Sequence, residues 1–123
     1  MEQPGRIRDY RDLIVWRKGI DLVKHVYALS RDFPKEERYA LTDQIRRAAV
    51  SIPSNIAEGS SRTHKGEFRQ FISIALGSTA EVDTQSVIAF ELGYIDKIQC
   101  DATHNRIDEI RRMLRGLQTA LKD

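Results

Sequence analysis

Three histidines, one cysteine and a scatter of serines are the residues with which this 123-residue chain could do chemistry. None of them is arranged for it. His25, His64 and His104 lie far apart on polar stretches, and no Glu-x-x-His pair of the kind that builds di-iron bundles occurs. His25 is expected on the solvent side of its helix. A lone Cys100 can form neither an internal disulfide nor a thiolate metal site within one subunit, and reads as a small half-buried residue. The run GSSRTHKG places Lys before Gly, unlike the GK[ST] of a phosphate-binding loop. No base stands beside any serine at a spacing that would activate it. The residue pattern therefore gives no catalytic group, no metal site and no cofactor site, and points to a non-enzymatic protein.

The more informative polar residues lie inside a stretch that is otherwise apolar, LTDQIRRAAVSIPSNIAEGSSR, residues 41–62. At ~100° per residue, Leu41, Ile45, Ala48, Ala49, Ile52, Ile56 and Gly59 fall on one arc. Thr42, Val50, Pro53 and Ala57 widen it past a half-circle, beyond the stripe of an ordinary surface helix. The remaining face carries Gln44, Arg47, Ser51, Asn55 and Glu58 at spacings of three and four. Its residues are mostly small and uncharged, which suits a hydrogen-bonded helix contact better than a solvated face. A buried pairing of Arg46 or Arg47 with Glu58 or Glu81, within a subunit or between subunits, is expected at that contact. Gly77-Ser78 in the following helix gives a neighbour room for close approach.

Basic residues are the other candidate binding elements. Arg6, Arg8 and Arg11 mark residues 1–11 as a flexible basic arm broken by Pro4-Gly5. Arg62, His64 and Lys65 cluster at a turn, and Arg111, Arg112 and Arg115 follow one another late in the chain. These are the candidate RNA or DNA contacts. Lys and Arg number 20 against 18 Asp and Glu, a net charge of +2, which is weak for a nucleic-acid-binding domain. No apolar run approaches the ~20 residues of a membrane helix, no secretory signal is evident, and the lack of disulfides suits the cytoplasm.

Four helices position these residues. The first spans about 13–31, with Asp12 as its N-cap; Leu13, Trp16, Ile20, Val23 and Tyr27 lie on one side, flanked by Val15, Leu22, Val26 and Leu29. Phe33-Pro34 ends it, and the charged link Lys35-Glu36-Glu37-Arg38 leads to the second, which is expected to bend at Pro53. Two helices meeting at Ile52-Pro53 are the alternative. Ser51 and Ser54 are placed to bond the carbonyls that Pro53 frees. The third helix, about 64–92, is capped by Thr63, carries Phe68, Phe71, Ile72, Ala75, Thr79, Val82 and Phe90 on one arc and Ile74, Ile88 and Leu92 on another, and ends at Gly93. The fourth, capped by Asp96 or Asp101, has a narrow stripe of Ile107, Ile110, Met113, Leu114, Leu117 and Leu121. Short links make an all-α, antiparallel up-down-up-down four-helix bundle over residues 12–123. The middle two helices carry more apolar surface than one bundle can cover, so self-association is expected.

The stretch QIRRAAVSIPSNIAEGSSR, with LIVWRKG before it and FRQFISIALGSTAEVDTQ after it, resembles the 23S rRNA intervening-sequence protein family over about residues 10–95. The pattern falls on Trp16, Gln44, Arg46, Arg47, Ser51, Pro53, Asn55, Ala57, Glu58, Gly59, Arg62, Gly77, Ser78 and Glu81. The resemblance implies a four-helix bundle, a homopentamer and no settled activity. Two function classes remain: an oligomeric scaffold or adaptor, with a protein partner as an option, and an RNA- or DNA-binding accessory protein. A related group, the accessory variability determinant of diversity-generating retroelements, implies a ring of five bundles that binds a reverse transcriptase and nucleic acid. This chain is less basic than that group, which argues against strong nucleic-acid binding.

Overall fold

The computed structural model describes residues 9–122, so Arg6 and Arg8 lie outside the described residues. Four helices account for most of it: α1 (Ile14–Ser30), α2 (Leu41–Ser60), α3 (Lys65–Glu91) and α4 (Lys97–Ala120), with 3₁₀ turns at Tyr10–Asp12 and Lys35–Glu37 and no strand among the described residues.

The local chemistry explains most boundaries. Asp9, not Asp12, is the capping residue at the start. Its carboxylate accepts from the Arg11 N–H at 2.7 Å, while Asp12 accepts from the Asp9 N–H, and this box closes the 3₁₀ turn rather than α1. The N-cap position of α1 is Leu13, with no side-chain cap. His64, rather than Thr63, stands at the N-cap of α3, again without a side-chain cap. Of the two aspartates considered for α4, Asp96 forms a capping box with Gln99, and Asp101 instead pairs with Lys97 at 2.9 Å. Gly93 ends α3 with φ +79°, where a side chain would be strained, and the Tyr94 N–H reaches back to the Ala89 carbonyl at 2.8 Å.

Pro53 lies inside α2, which runs as one helix from Leu41 to Ser60 and not as two. The proline ring is buried against Gly19 of α1, where an added Cβ would stand 3.3 Å from the Pro53 Cβ. The two small surfaces explain each other: the ring needs a shallow neighbour, and Gly19 provides it. Ser51 does not bond a freed carbonyl; its hydroxyl meets Ser78 of α3 at 2.8 Å.

The helices pack in a cycle, α1 on α2, α2 on α3, α3 on α4 and α4 on α1. Leu22, Val26, Ile45, Ile52, Ile56, Ile72, Val82, Ile107, Ile110 and Leu114 fill the middle. In α1 the core face is Val15, Leu22, Val26 and Leu29, the set expected as flanks, whereas Trp16, Ile20 and Val23 are only half-buried and Tyr27 is exposed. In α3 the buried row is Ile72, Ala75, Thr79, Val82, Ser86 and Ala89, and Phe90 turns outward. Periodicity located an apolar band on each helix. The choice of its centre depended on which neighbour sits against it, and a single helix does not carry that information.

Candidate interaction surface

Within the polar stripe of α2, Ser51 and Asn55 form a linked set that reaches Ser78 of α3. The Asn55 side-chain amide donates to the Ser51 carbonyl at 2.7 Å and to the Ser51 hydroxyl at 2.8 Å. The Ser51 hydroxyl also shares a hydrogen bond with the hydroxyl of Ser78, which is buried. Gln44, Arg47, Ala48 and Glu81 border the same groove, a recess of about 330 Å³. Gln85 lies beside them, and its Oε1 is buried with no hydrogen-bond partner among the described residues. A buried acceptor without a donor is costly, so this groove has an unmet hydrogen bond in the single chain.

The expected arginine–glutamate pairing does not occur within the protomer. Arg46 donates from Nε to the Ser30 hydroxyl at 2.8 Å and lies over the Tyr27 ring. Arg47 pairs with Asp43 at 2.9 Å, and Glu58 pairs with Arg62. Each of these partners is local or already in contact through packing, and a local i,i+4 partner orders less chain than one on another helix. Glu81 is exposed and has no ion-pair or hydrogen-bond partner among the described residues. Gly77 is exposed too, and a Cβ added there would meet nothing within 4 Å, so no neighbour within the protomer uses the space it leaves.

Around Gly77 and Glu81 the outer face of α3 is apolar. Ile74 is 52% and Ile88 42% exposed, at spacings that put both on the same face as Gly77 and Glu81. A second unfinished surface is the groove between α1 and α2. It is lined by Trp16, Ile20, Val23, Val50, Pro53 and Ala57, holds about 560 Å³, and is closed at one end by Tyr10, whose ring stands 5.3 Å from Trp16.

Of the seven candidate nucleic-acid residues that are described, four stand beside carboxylates. Arg62 holds Glu58, Arg112 holds Asp108 at 3.6 Å, and Arg111 holds Asp83 at 3.3 Å. Arg11 pairs with Asp9 and lies over Tyr10. His64, Lys65 and Arg115 are exposed. Cations already beside carboxylates present little net charge to a polyanion.

His25 is half-buried, not exposed. Its Nε2 lies 2.7 Å from the Thr103 hydroxyl, which spends its own proton on the Gln99 carbonyl at 2.8 Å. The imidazole is therefore the donor in that bond. Burial, helped by the nearby Arg106, holds its pKa below the ordinary histidine value. Its partner is 78 residues away in the chain. Tyr27, Arg38 and Tyr39 are surface residues that the sequence did not single out. The only local signal was an Arg-Tyr step at the end of a link that reads as a charged connection. Among the described residues no cluster of metal-ligating side chains exists, and no helix is long and apolar enough to cross a membrane.

These features find a match among known proteins. The family model described as 23S rRNA-intervening sequence protein matches residues 11–116. Among solved structures, a protein of unknown function from the S23 ribosomal protein family of Bacteroides thetaiotaomicron is similar in fold. The TM-score is 0.76 at 21% identity, over 89% of this chain and 100% of that one. No curated protein matches. With the family model covering all four helices, the chain belongs to the 23S rRNA-intervening sequence protein family.

Proposed function

We propose that this protein is a non-enzymatic, cytoplasmic scaffold that works as a ring of identical subunits, five as the family resemblance implies. The subunit is an antiparallel up-down-up-down bundle bent at Pro53. Cross-helix partners that run in opposite order support the antiparallel reading: Arg46 with Ser30 and Pro53 with Gly19, Ser51 with Ser78 and Gly59 with Phe71, Asp83 with Arg111 and Ser73 with Gln118, Lys18 with Glu109 and His25 with Thr103.

The observation that carries the assembly reading is the outer face of α3, where two half-exposed isoleucines flank an open glycine and an unpaired glutamate. Soluble monomers seldom leave such a face open. The α1–α2 groove is a different surface, with different residues. Two unlike faces suit a head-to-tail contact, and head-to-tail contacts close into rings when the rotation allows. Glu81 would then meet an arginine of the neighbouring copy, and a donor from that copy would satisfy Gln85. The paired state of Arg62, Arg111 and Arg112 gives less support to a nucleic-acid role for those residues.

The double variant Ile74→Lys/Ile88→Lys tests this reading by light scattering with circular dichroism. The expected outcome is a helical chain that no longer assembles. An assembly of unchanged mass would overturn the reading.

A further inference from the structure

The link between α1 and α2, with the first turns of α2, encloses a solvent-open cavity of about 730 Å³. Small-ligand sites span ~300–1,000 Å³. Its walls twice pair a guanidinium with a phenol ring. Arg46 stands 4.6 Å over the Tyr27 ring, and Arg38 stands 5.4 Å over the Tyr39 ring. Arg46 is fixed from below, since its Nε is tied to the Ser30 hydroxyl and that hydroxyl to the Val26 carbonyl at 2.7 Å. Its two terminal nitrogens remain unspent. Among the described residues neither Arg38 nor Arg46 has a carboxylate within ion-pair distance. The one acid in the wall, Asp43, is held by Arg47. Tyr39 is 85% exposed, so most of its ring faces water.

Two unpaired guanidiniums and an exposed aromatic plane in one cavity call for a ligand with an anion and a flat ring close together. Guanidinium forks match phosphate oxygens. Exposed aromatic rings stack nucleobases whatever their identity. We propose that this cavity binds a nucleoside phosphate unit, with the base on Tyr39 and the phosphate between Arg38 and Arg46. A free nucleotide and one residue of a single strand present the same chemistry. A carboxylate from a second copy would satisfy the arginines but would leave the phenol rings without a purpose. All the residues of this site come from one chain, and it borders the α1–α2 groove at Val50 and the α2–α3 groove at Arg47 and Ser51.

The test uses the whole protein with two probes: adenosine monophosphate by calorimetry and a short labelled single-stranded RNA by fluorescence anisotropy. At low salt at least one probe binds. Tyr39→Ala weakens that binding about tenfold, in line with the loss of one stacked base. Arg38→Gln and Arg46→Gln each lower the salt slope of the RNA affinity by about one. Arg106→Gln, at an exposed position of α4, changes neither. Binding of both probes identifies the unit as recognised alone, and binding of RNA only identifies a strand as its source. Tyr39 and Arg38 are exposed, so their variants fold, and light scattering on each reports assembly separately. Failure of both probes to bind, or full affinity in the Arg38→Gln/Tyr39→Ala variant, overturns the proposal. Loss of assembly in that variant, with no probe bound by the parent protein, also overturns it and assigns the cavity to a subunit contact.

Discussion

Helices α3 and α4 lie side by side and are finished differently. α4 buries Ile107, Ile110 and Leu114, and its outer surface is set with ion pairs: Lys97 to Asp101, Arg112 to Asp108, Glu109 to Lys18. Lys18 donates to the Glu109 carboxylate at 2.9 Å and holds its pKa below the usual range. Such exposed pairs contribute little stability each, but they are what a helix shows to water. α3 buries a full row as well, from Ile72 to Ala89, yet its far side presents Ile74, Ile88, Gly77 and a solitary Glu81. Beyond its first turn, where Ile98 is 79% exposed, α4 shows water mainly charged pairs, whereas the far side of α3 shows isoleucines along its length. In the proposed assembly, α3 is the face that a second copy would cover.

The two glycines beside α3 give the widest test of that contrast. Gly59 of α2 is buried against α3, and a Cβ there would stand 2.7 Å from the Phe71 Cβ and 2.8 Å from Phe68 Cδ1. Gly59→Ala is expected to destabilise the fold by ~1–3 kcal/mol, the usual cost of overpacking, measured by urea unfolding. Gly77 on the open side has no such obstacle. There Gly77→Ala should favour the helix by up to ~1 kcal/mol in a single chain. If a neighbouring copy packs onto this spot, the same change weakens assembly, so opposite signs in unfolding and in mass would locate the contact.

A smaller effect separates the two glutamates. Glu81→Ala is expected to lower the dilution resistance of the assembly, whereas Glu109→Ala, on α4, leaves it unchanged. Thermal melts followed across protein concentration make the comparison. Identical behaviour of the two would remove Glu81 from any subunit contact.

The smallest effect belongs to the closed seam between α1 and α4. The His25 pKa is lowered from an ordinary 6.5. The unfolded chain therefore takes up a proton near pH 6.5, and the folded chain does so only at lower pH. Stability is full above 6.5 and declines as pH falls from there toward the folded-state value. His25→Gln should flatten that part of the stability curve, read by chemical unfolding at a series of pH values.

The sequence carried the number of helices and the polar stripe of α2 because both depend on residues a few positions apart. Ser51 and Asn55 are one turn from each other, and Ser78 occupies the matching place on the next helix. Gly93 and Asp96 announced their turn through backbone chemistry alone. What stayed hidden depends on distant neighbours. The bond of His25 to Thr103, the stacking of Arg46 on Tyr27, and the packing of Pro53 on Gly19 all join different helices. Arg46 illustrates the limit. Its charge suggested a glutamate partner, but the fold placed a serine and a phenol within reach first. The cavity beside Tyr39 was invisible for a similar reason, since Tyr27 of α1 closes a wall that residues 38–51 cannot form alone.

The mass of the unmodified protein at low micromolar concentration tests the central claim most directly. A ring of five copies of a 14.1 kDa chain gives about 70 kDa by light scattering. A species of 14.1 kDa that persists at that concentration would contradict the account, because Ile74, Val50 and Ile88 would then face water with nothing to cover them.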